Sequence, residues 1–96
     1  MILSFDDTTT EAVFNGFPVA LLRRIPPEVV SRTQKKLDSL NVASNLNDLA
    51  ATPGNRLEAL RGDRNGQWSI RVNDQWRLIF RWDGEHAANV SLVDYQ

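Results

Sequence analysis

No cysteine occurs among the 96 residues, which excludes disulfides, a thiolate metal site and a thiol nucleophile, and suits a reducing compartment. Histidine is nearly absent as well, with one at position 86. With no helix-spaced carboxylate cluster beside it, too few ligands remain for zinc, and a carboxylate-only magnesium site is the remaining metal option. We therefore expect neither metal nor cofactor. A serine triad would have to recruit His86, which reads better as a packing or surface residue. No apolar run approaches the ~18 to 20 residues of a membrane span, and Met1-Ile-Leu-Ser-Phe5 is too short for a secretory core before Asp6-Asp7. A cytoplasmic protein without a membrane partner is the expectation. Phosphate-loop and dinucleotide glycine signatures, internal repeats and low-complexity segments are also missing. So is excess positive charge: the net value of −1 argues against a general polyanion binder.

The length is that of one domain, residues 1–96, with a core but little redundancy. A first strand is expected over Met1 to Phe5. Thr8-Thr-Thr-Glu11 forms a capping box with Thr8 as N-cap, opening a helix that Asn15-Gly16 ends. A short apolar piece, Val19 to Ile25, follows. Pro26-Pro27 marks the start of the longest helix, in which Val29, Val30, Thr33, Leu37 and Leu40 recur at steps of three and four. Asn45 caps a further short turn through Leu46, Leu49 and Ala50, and Pro53-Gly54 breaks the chain. From Leu57 onward the pattern is strand. The expected architecture is α+β: an N-terminal strand and helices packed on one face of a small, mainly antiparallel sheet, the other face being open.

Two runs carry the argument further. Trp68, Ile70 and Val72, then Trp76, Leu78, Phe80 and Trp82, alternate with period two, so each run is a strand with one buried face. Keeping both sets on one side requires an odd loop, Asn73-Asp74-Gln75, with Val72 opposite Trp76 and Arg71 opposite Arg77. Like charges directly opposite cost up to ~1 kcal/mol, a liability that a phosphate between them would reverse. The plainer alternative is that both arginines splay into water or pair with Asp74 or Glu85. For the next hairpin, a three-residue loop Trp82-Asp83-Gly84 with Gly84 left-handed closes Arg81 on Glu85. It sets Phe80, Leu78 and Trp76 beside His86, Ala88 and Val90, with Arg77 beside Asn89. Val90 and Leu92 then point to the core, and Ser91, Val93 and Tyr95 share the arginine face. A two-residue Asp83-Gly84 loop would reverse these faces.

Between Arg56 and Arg81 there are six arginines and no lysine, and the arginine fork is suited to holding phosphate at two points. The chemistry these residues permit is metal-free phosphoryl transfer on RNA, in which the ribose 2′-hydroxyl attacks its own phosphate. The protein then has only to align the attack and stabilise charge. Tyr95 can stack on a splayed base, or it can simply cover an edge of the core.

Three segments carry a family resemblance across the whole chain, strongest from Pro53 to Tyr95: Arg56-Leu-Glu-Ala-Leu-Arg-Gly-Asp63, Trp68-Ser-Ile-Arg-Val-Asn-Asp-Gln-Trp-Arg-Leu-Ile-Phe80 and Val93-Asp94-Tyr95. Together they resemble the HigB toxins of the RelE/ParE superfamily. The resemblance implies a RelE-like fold and a ribosome-dependent endoribonuclease that cuts messenger RNA. It also implies a small helix-turn-helix antitoxin, HigA, as partner, with operator DNA bound only through the toxin-antitoxin complex. By the same resemblance Arg61 grips the substrate phosphate, Arg77 stabilises the transition-state phosphate, and Asp94 and Tyr95 serve positioning and proton transfer. Arg56, Arg64, Arg71, Asn73 and Gln96 are the expected RNA contacts. Two departures stand out. Gln96 replaces the usual final histidine and cannot exchange a proton near neutral pH, and Glu58 stands where some members have histidine, which makes it a candidate general base. The competing readings are a ParE-like gyrase inhibitor, which would not need Arg61, Arg77 and Tyr95, and a weak or degenerate toxin that acts by binding its antitoxin in operon repression.

Overall fold

The computed structural model describes residues 1–17 and 25–95. The apolar piece from Val19 lies outside the described residues up to its last residue, Ile25, which is buried. Helix α1 spans Thr8–Asn15. Its N-cap is Asp7 rather than Thr8: the Asp7 carboxylate accepts from the Thr10 backbone N–H at 2.6 Å, and a charged oxygen at the positive end of a helix outcompetes a hydroxyl. Gly16, at φ 74°, closes the helix in the left-handed conformation.

Helix α2 spans Pro27–Val42 with proline in its first turn and buries Val29, Thr33, Leu37 and Leu40, the stripe set by the three-and-four spacing. Helix α3, Leu46–Ala50, is capped by Asn45, whose side chain accepts from Asp48 N–H at 3.0 Å.

The sheet is antiparallel in the order β1-β2-β3-β4: Glu58–Ala59, Gln67–Arg71, Trp76–Trp82 and Ala87–Asp94. The stretch after Leu57 is therefore not continuous strand. A 3-10 turn at Gly62–Arg64 interrupts it where Gly62 and Gly66 both take positive φ, which returns the chain for β2. The expected N-terminal strand also shrinks. Ile2 and Phe5 make only isolated parallel bridges, to Ala87 and Val90, because β4 bulges between these two points.

The β2–β3 register is the expected one, with Trp68 on Phe80, Ile70 on Leu78 and Arg71 on Arg77. The Asn73 side chain holds that turn by accepting from the backbone N–H groups of Gln75 and Trp76, both at 2.8 Å. The β3–β4 register differs from expectation. Trp82 pairs with Ala87, Arg81 with Ala88, Leu78 with Leu92, Arg77 with Val93 and Trp76 with Asp94, with a shift between Ile79 and Arg81. The loop has four residues, Asp83 to His86, because the Asp83 carboxylate accepts from Glu85 N–H at 2.9 Å and His86 N–H at 2.6 Å. This Asx-type turn outcompetes a three-residue glycine loop. Those bonds hold the Asp83 carboxyl below its ordinary range. Trp82 is thereby kept in the strand, edge-on to Phe80 at 6.5 Å.

The shift is absorbed at Asn89, at φ +54°, whose backbone N–H donates to Ser4 Oγ at 2.9 Å and whose side-chain amide donates to Asp6 at 2.8 Å. One extra residue resets the alternation, so Ala87 and Val90 are both fully buried and Ala88 is not in the core. Beyond the bulge the actual pairing differs from the expected one by an even number of residues. Leu92 therefore packs on the core and Val93 keeps to the arginine face, as expected, but it is Val93 and not Asn89 that pairs with Arg77.

Leu37, Leu40, Ile70, Leu78, Phe80 and Val90 have no exposed surface and join the helices to one sheet face. The opposite face is not left open. Ser69 and Ile79, at its centre, are equally buried.

Candidate functional site

The register rows place the arginine-face residues in order. Glu58, Ser69, Ile79 and Ser91 form one row across the four strands, and Arg71, Arg77 and Val93 form the next. Arg77 leans across to the first row. Its Nε–H donates to Ser69 Oγ at 2.9 Å and an Nη2–H donates to the Arg56 carbonyl at 2.8 Å. Arg56 presents that carbonyl from a left-handed backbone, φ +46°, a strain of roughly 1–3 kcal/mol for a residue with a side chain, of the kind that clusters at functional sites. Two anchors on one edge of the guanidinium leave the other N–H groups of its fork for an anion.

Tyr95 completes the group. Its backbone N–H donates to the Gln75 carbonyl at 2.7 Å, which draws the end of the chain against the β2–β3 turn. Its ring lies 5.8 Å from Arg77 Cζ, in cation–π range. Tyr95 is 46% exposed, which leaves it accessible to a base. Glu58 is exposed on β1 opposite Ser69, on the same face as Arg77 and one row away.

The two arginines of the cross-strand pair take different partners. Arg71 turns outward to an ion pair with the exposed Asp74, and the Arg71 guanidinium holds the Asp74 carboxyl below its ordinary range. Arg77 is the cation that remains directed over the face. Asn73, expected as an RNA contact, spends its side-chain oxygen on the hairpin turn. Asp94 pairs with Trp76 and accepts from the Gln75 side-chain amide at 3.0 Å. Strand alternation sets it on the face opposite Tyr95.

Arg61 and Arg64 are exposed around the 3-10 turn. Leu60 N–H donates to the Gln67 carbonyl, and Gln67 pairs with Arg81. This puts the two arginines near the Arg81 row, about 13 Å along the strands from Arg77. The Arg81 guanidinium lies over Gly66, where an added Cβ would meet its Nη1 at 3.0 Å. The face thus carries two basic groups: Arg77 with Arg56 and Tyr95 at one end, and Arg61, Arg64 and Arg81 at the other. Gln96 lies outside the described residues.

Two contributors escaped sequence reasoning: the Ser69 hydroxyl and the Arg56 carbonyl. The first had a signal, since Ser69 is the one small polar residue between Trp68 and Ile70 and is diagonal to Arg77 in the register. The second had none, because a backbone carbonyl's direction follows from the local φ and ψ, which the side-chain pattern does not reveal.

With that geometry in place, comparison with known proteins is informative. The chain is 44% identical over 70 residues to Toxin HigB-1 of Vibrio cholerae, covering 73% of this chain and 74% of that one. It is 31% identical over 71 residues to Endoribonuclease HigB of Proteus vulgaris, covering 74% and 76%. Among solved structures, the fold is similar to the toxin in the heterotetrameric YoeB-YefM toxin-antitoxin complex of Staphylococcus aureus, with a TM-score of 0.61, 17% identity, and 100% and 98% of the two chains covered. It is also similar to YafQ of E. coli, with a TM-score of 0.57, 13% identity, and 98% and 91% covered. Residues 4–96 match the RelE-like toxin family of the type II toxin-antitoxin system HigB, and the chain belongs to that family.

Proposed function

We propose that this HigB-family toxin is a ribosome-dependent, metal-independent endoribonuclease that cleaves messenger RNA and so inhibits translation in the cytoplasm. One observation carries the reading: Arg77 is held by Ser69 and the Arg56 carbonyl, with the Tyr95 ring beside it, near the β2–β3 turn on one sheet face. A pre-positioned guanidinium suits a phosphate whose charge grows in the transition state. The ribose 2′-oxygen attacks phosphorus, the bond to the 5′-oxygen breaks, and a cyclic phosphate forms. Glu58 accepts the 2′-hydroxyl proton, Tyr95 stacks on the splayed base and its hydroxyl donates a proton to the leaving 5′-oxygen, and Asp94 positions the end of the chain through Gln75. Arg61 and Arg64, with Arg56 and Arg71, grip flanking phosphates. A HigA-like helix-turn-helix antitoxin neutralises the toxin, and operator DNA is reached only through their complex; the toxin-antitoxin complex of the structural neighbour supports an antitoxin partner.

The test is Arg77→Ala, measured as single-turnover cleavage of messenger RNA on programmed ribosomes beside growth arrest and thermal melting. Loss of one charge-assisted contact in a catalytic site costs ~3 kcal/mol, roughly a hundredfold in rate. Melting should fall by about 4–8 °C, as expected for roughly 1 kcal/mol lost with the Ser69 bond, and the transition should stay cooperative, because Arg77 lies off the helix-facing core. Toxicity that survives the change with RNA intact would fit a gyrase inhibitor instead.

A further inference from the structure

A second basic surface lies where α2 meets the end of the sheet. A hollow of about 270 Å³ is lined by Arg32, Lys35, Lys36, Gly54, Arg71 and Val72, four of them cations. It is organised by one buried residue. Asn55 has no exposed surface; its side-chain oxygen accepts from Lys36 Nζ, its amide donates to the Leu49 carbonyl at 3.1 Å, and its backbone carbonyl accepts from Arg71 N–H at 2.6 Å. Lys36 and Arg71 are therefore fixed relative to each other through Asn55. Burial, then the charges of Arg71 and Arg32, push the Lys36 ammonium below its ordinary range, so the cations strain against one another and an anion among them would relieve it. Arg71 also links the hollow to the candidate active face, being the direct cross-strand partner of Arg77.

We propose that this hollow is a second phosphate-binding site, which holds the backbone of the same RNA strand whose scissile phosphate lies on Arg77. The inference rests on the nuclease reading for the identity of that strand. An RNA backbone repeats its charge at every nucleotide, so one strand can reach both groups of cations, with Arg71 as the shared member. Asp74 is the internal competitor: it occupies Arg71 in the free protein, and the arriving phosphate displaces it.

The probe is a labelled single strand of about 12 nucleotides with 2′-O-methyl groups, which cannot attack the phosphate, followed by fluorescence anisotropy across salt concentrations. Arg32→Gln combined with Lys35→Gln alters exposed side chains and leaves the Lys36–Asn55 bond in place, so melting should not move. Binding should weaken roughly ten- to thirtyfold near 0.1 M salt, and the log–log salt slope should fall by about 1.4, at about 0.7 per phosphate contact on a single strand. Asp74→Asn frees Arg71, and should tighten binding and steepen the slope by about 0.7, a gain that a purely structural role would not produce. Unchanged affinity and slope in both variants, or no binding by the unaltered protein, would overturn the proposal. So would polyglutamate displacing the strand as well as unlabelled RNA does, since an acidic peptide would then be the ligand. Cleavage on programmed ribosomes, run in parallel, separates the two claims. Cleavage with hollow-independent binding sinks this site alone, and hollow-dependent binding without cleavage sinks the nuclease reading and leaves the site.

Discussion

Ser69→Ala tests whether Arg77 acts because it is held. Ser69 has no exposed surface, and its hydroxyl accepts from Arg77 Nε–H at 2.9 Å. A hydrogen bond to a charged group is worth about 1.5–3 kcal/mol, but Arg77 is half-buried, so water recovers part of that and a loss near 1 kcal/mol is expected. Melting should fall by about 4–8 °C, the shift that 1 kcal/mol produces in a domain of this size. The catalytic effect should be a further separable loss, because a guanidinium left with the Arg56 carbonyl alone can rotate out of line. If the loosened cation forfeits about 1.4 kcal/mol of transition-state stabilisation, the single-turnover rate drops about tenfold. Saturating ribosomes and a temperature well below the transition keep unfolding out of the measurement. The decisive arm is the double variant with Arg77→Ala. If Ser69 acts only through Arg77, Ser69→Ala costs nothing further in rate in that background. A full tenfold loss on top of Arg77→Ala, or an unaltered rate in the single variant, would refute the positioning argument.

The remaining expectations concern other parts of the molecule. Tyr95→Phe should keep the ring against Arg77 and isolate the hydroxyl in the cleavage rate, whereas Tyr95→Ala should lose in addition a cation–π contact of about 0.5–1 kcal/mol, read as weaker binding of the ribosome–RNA complex. Asp83 is held below the ordinary carboxyl range by the backbone N–H groups of Glu85 and His86. Its stabilising contribution is complete above about pH 4, the unfolded carboxyl value, and is lost as pH falls through the lower folded value. Asp83→Asn keeps the turn acceptor and should flatten that acid limb in melting curves taken from pH 7 to 2. The fully buried Thr33 hydroxyl has no hydrogen-bond partner among the described residues. Thr33→Val should therefore raise stability by about 1 kcal/mol in denaturant titration, and a destabilised variant would argue that the hydroxyl is satisfied.

What the sequence determined by itself was whatever depends on short-range periodicity. The spacing of Val29, Thr33, Leu37 and Leu40 dictates which side of α2 is buried, because 3.6 residues per turn leave no other stripe. The alternation of Trp68, Ile70, Trp76, Leu78 and Phe80 requires an odd loop, and Arg71 therefore had to meet Arg77. The family was legible too, from the arginine-bearing segments and the closing Asp94-Tyr95. Tertiary structure decided whatever depends on competition between partners distant in the chain. The Asn89 bulge forms where Ser4 and Asp6, more than eighty residues away, supply acceptors that make an extra residue in β4 favourable. Arg71 takes Asp74, three residues on, as its ion-pair partner. Arg77 became the fixed cation because Ser69 and a strained Arg56 carbonyl converge on it from two other segments. Periodicity assigns a residue to a face, and only the folded chain determines which neighbour on that face holds its charge.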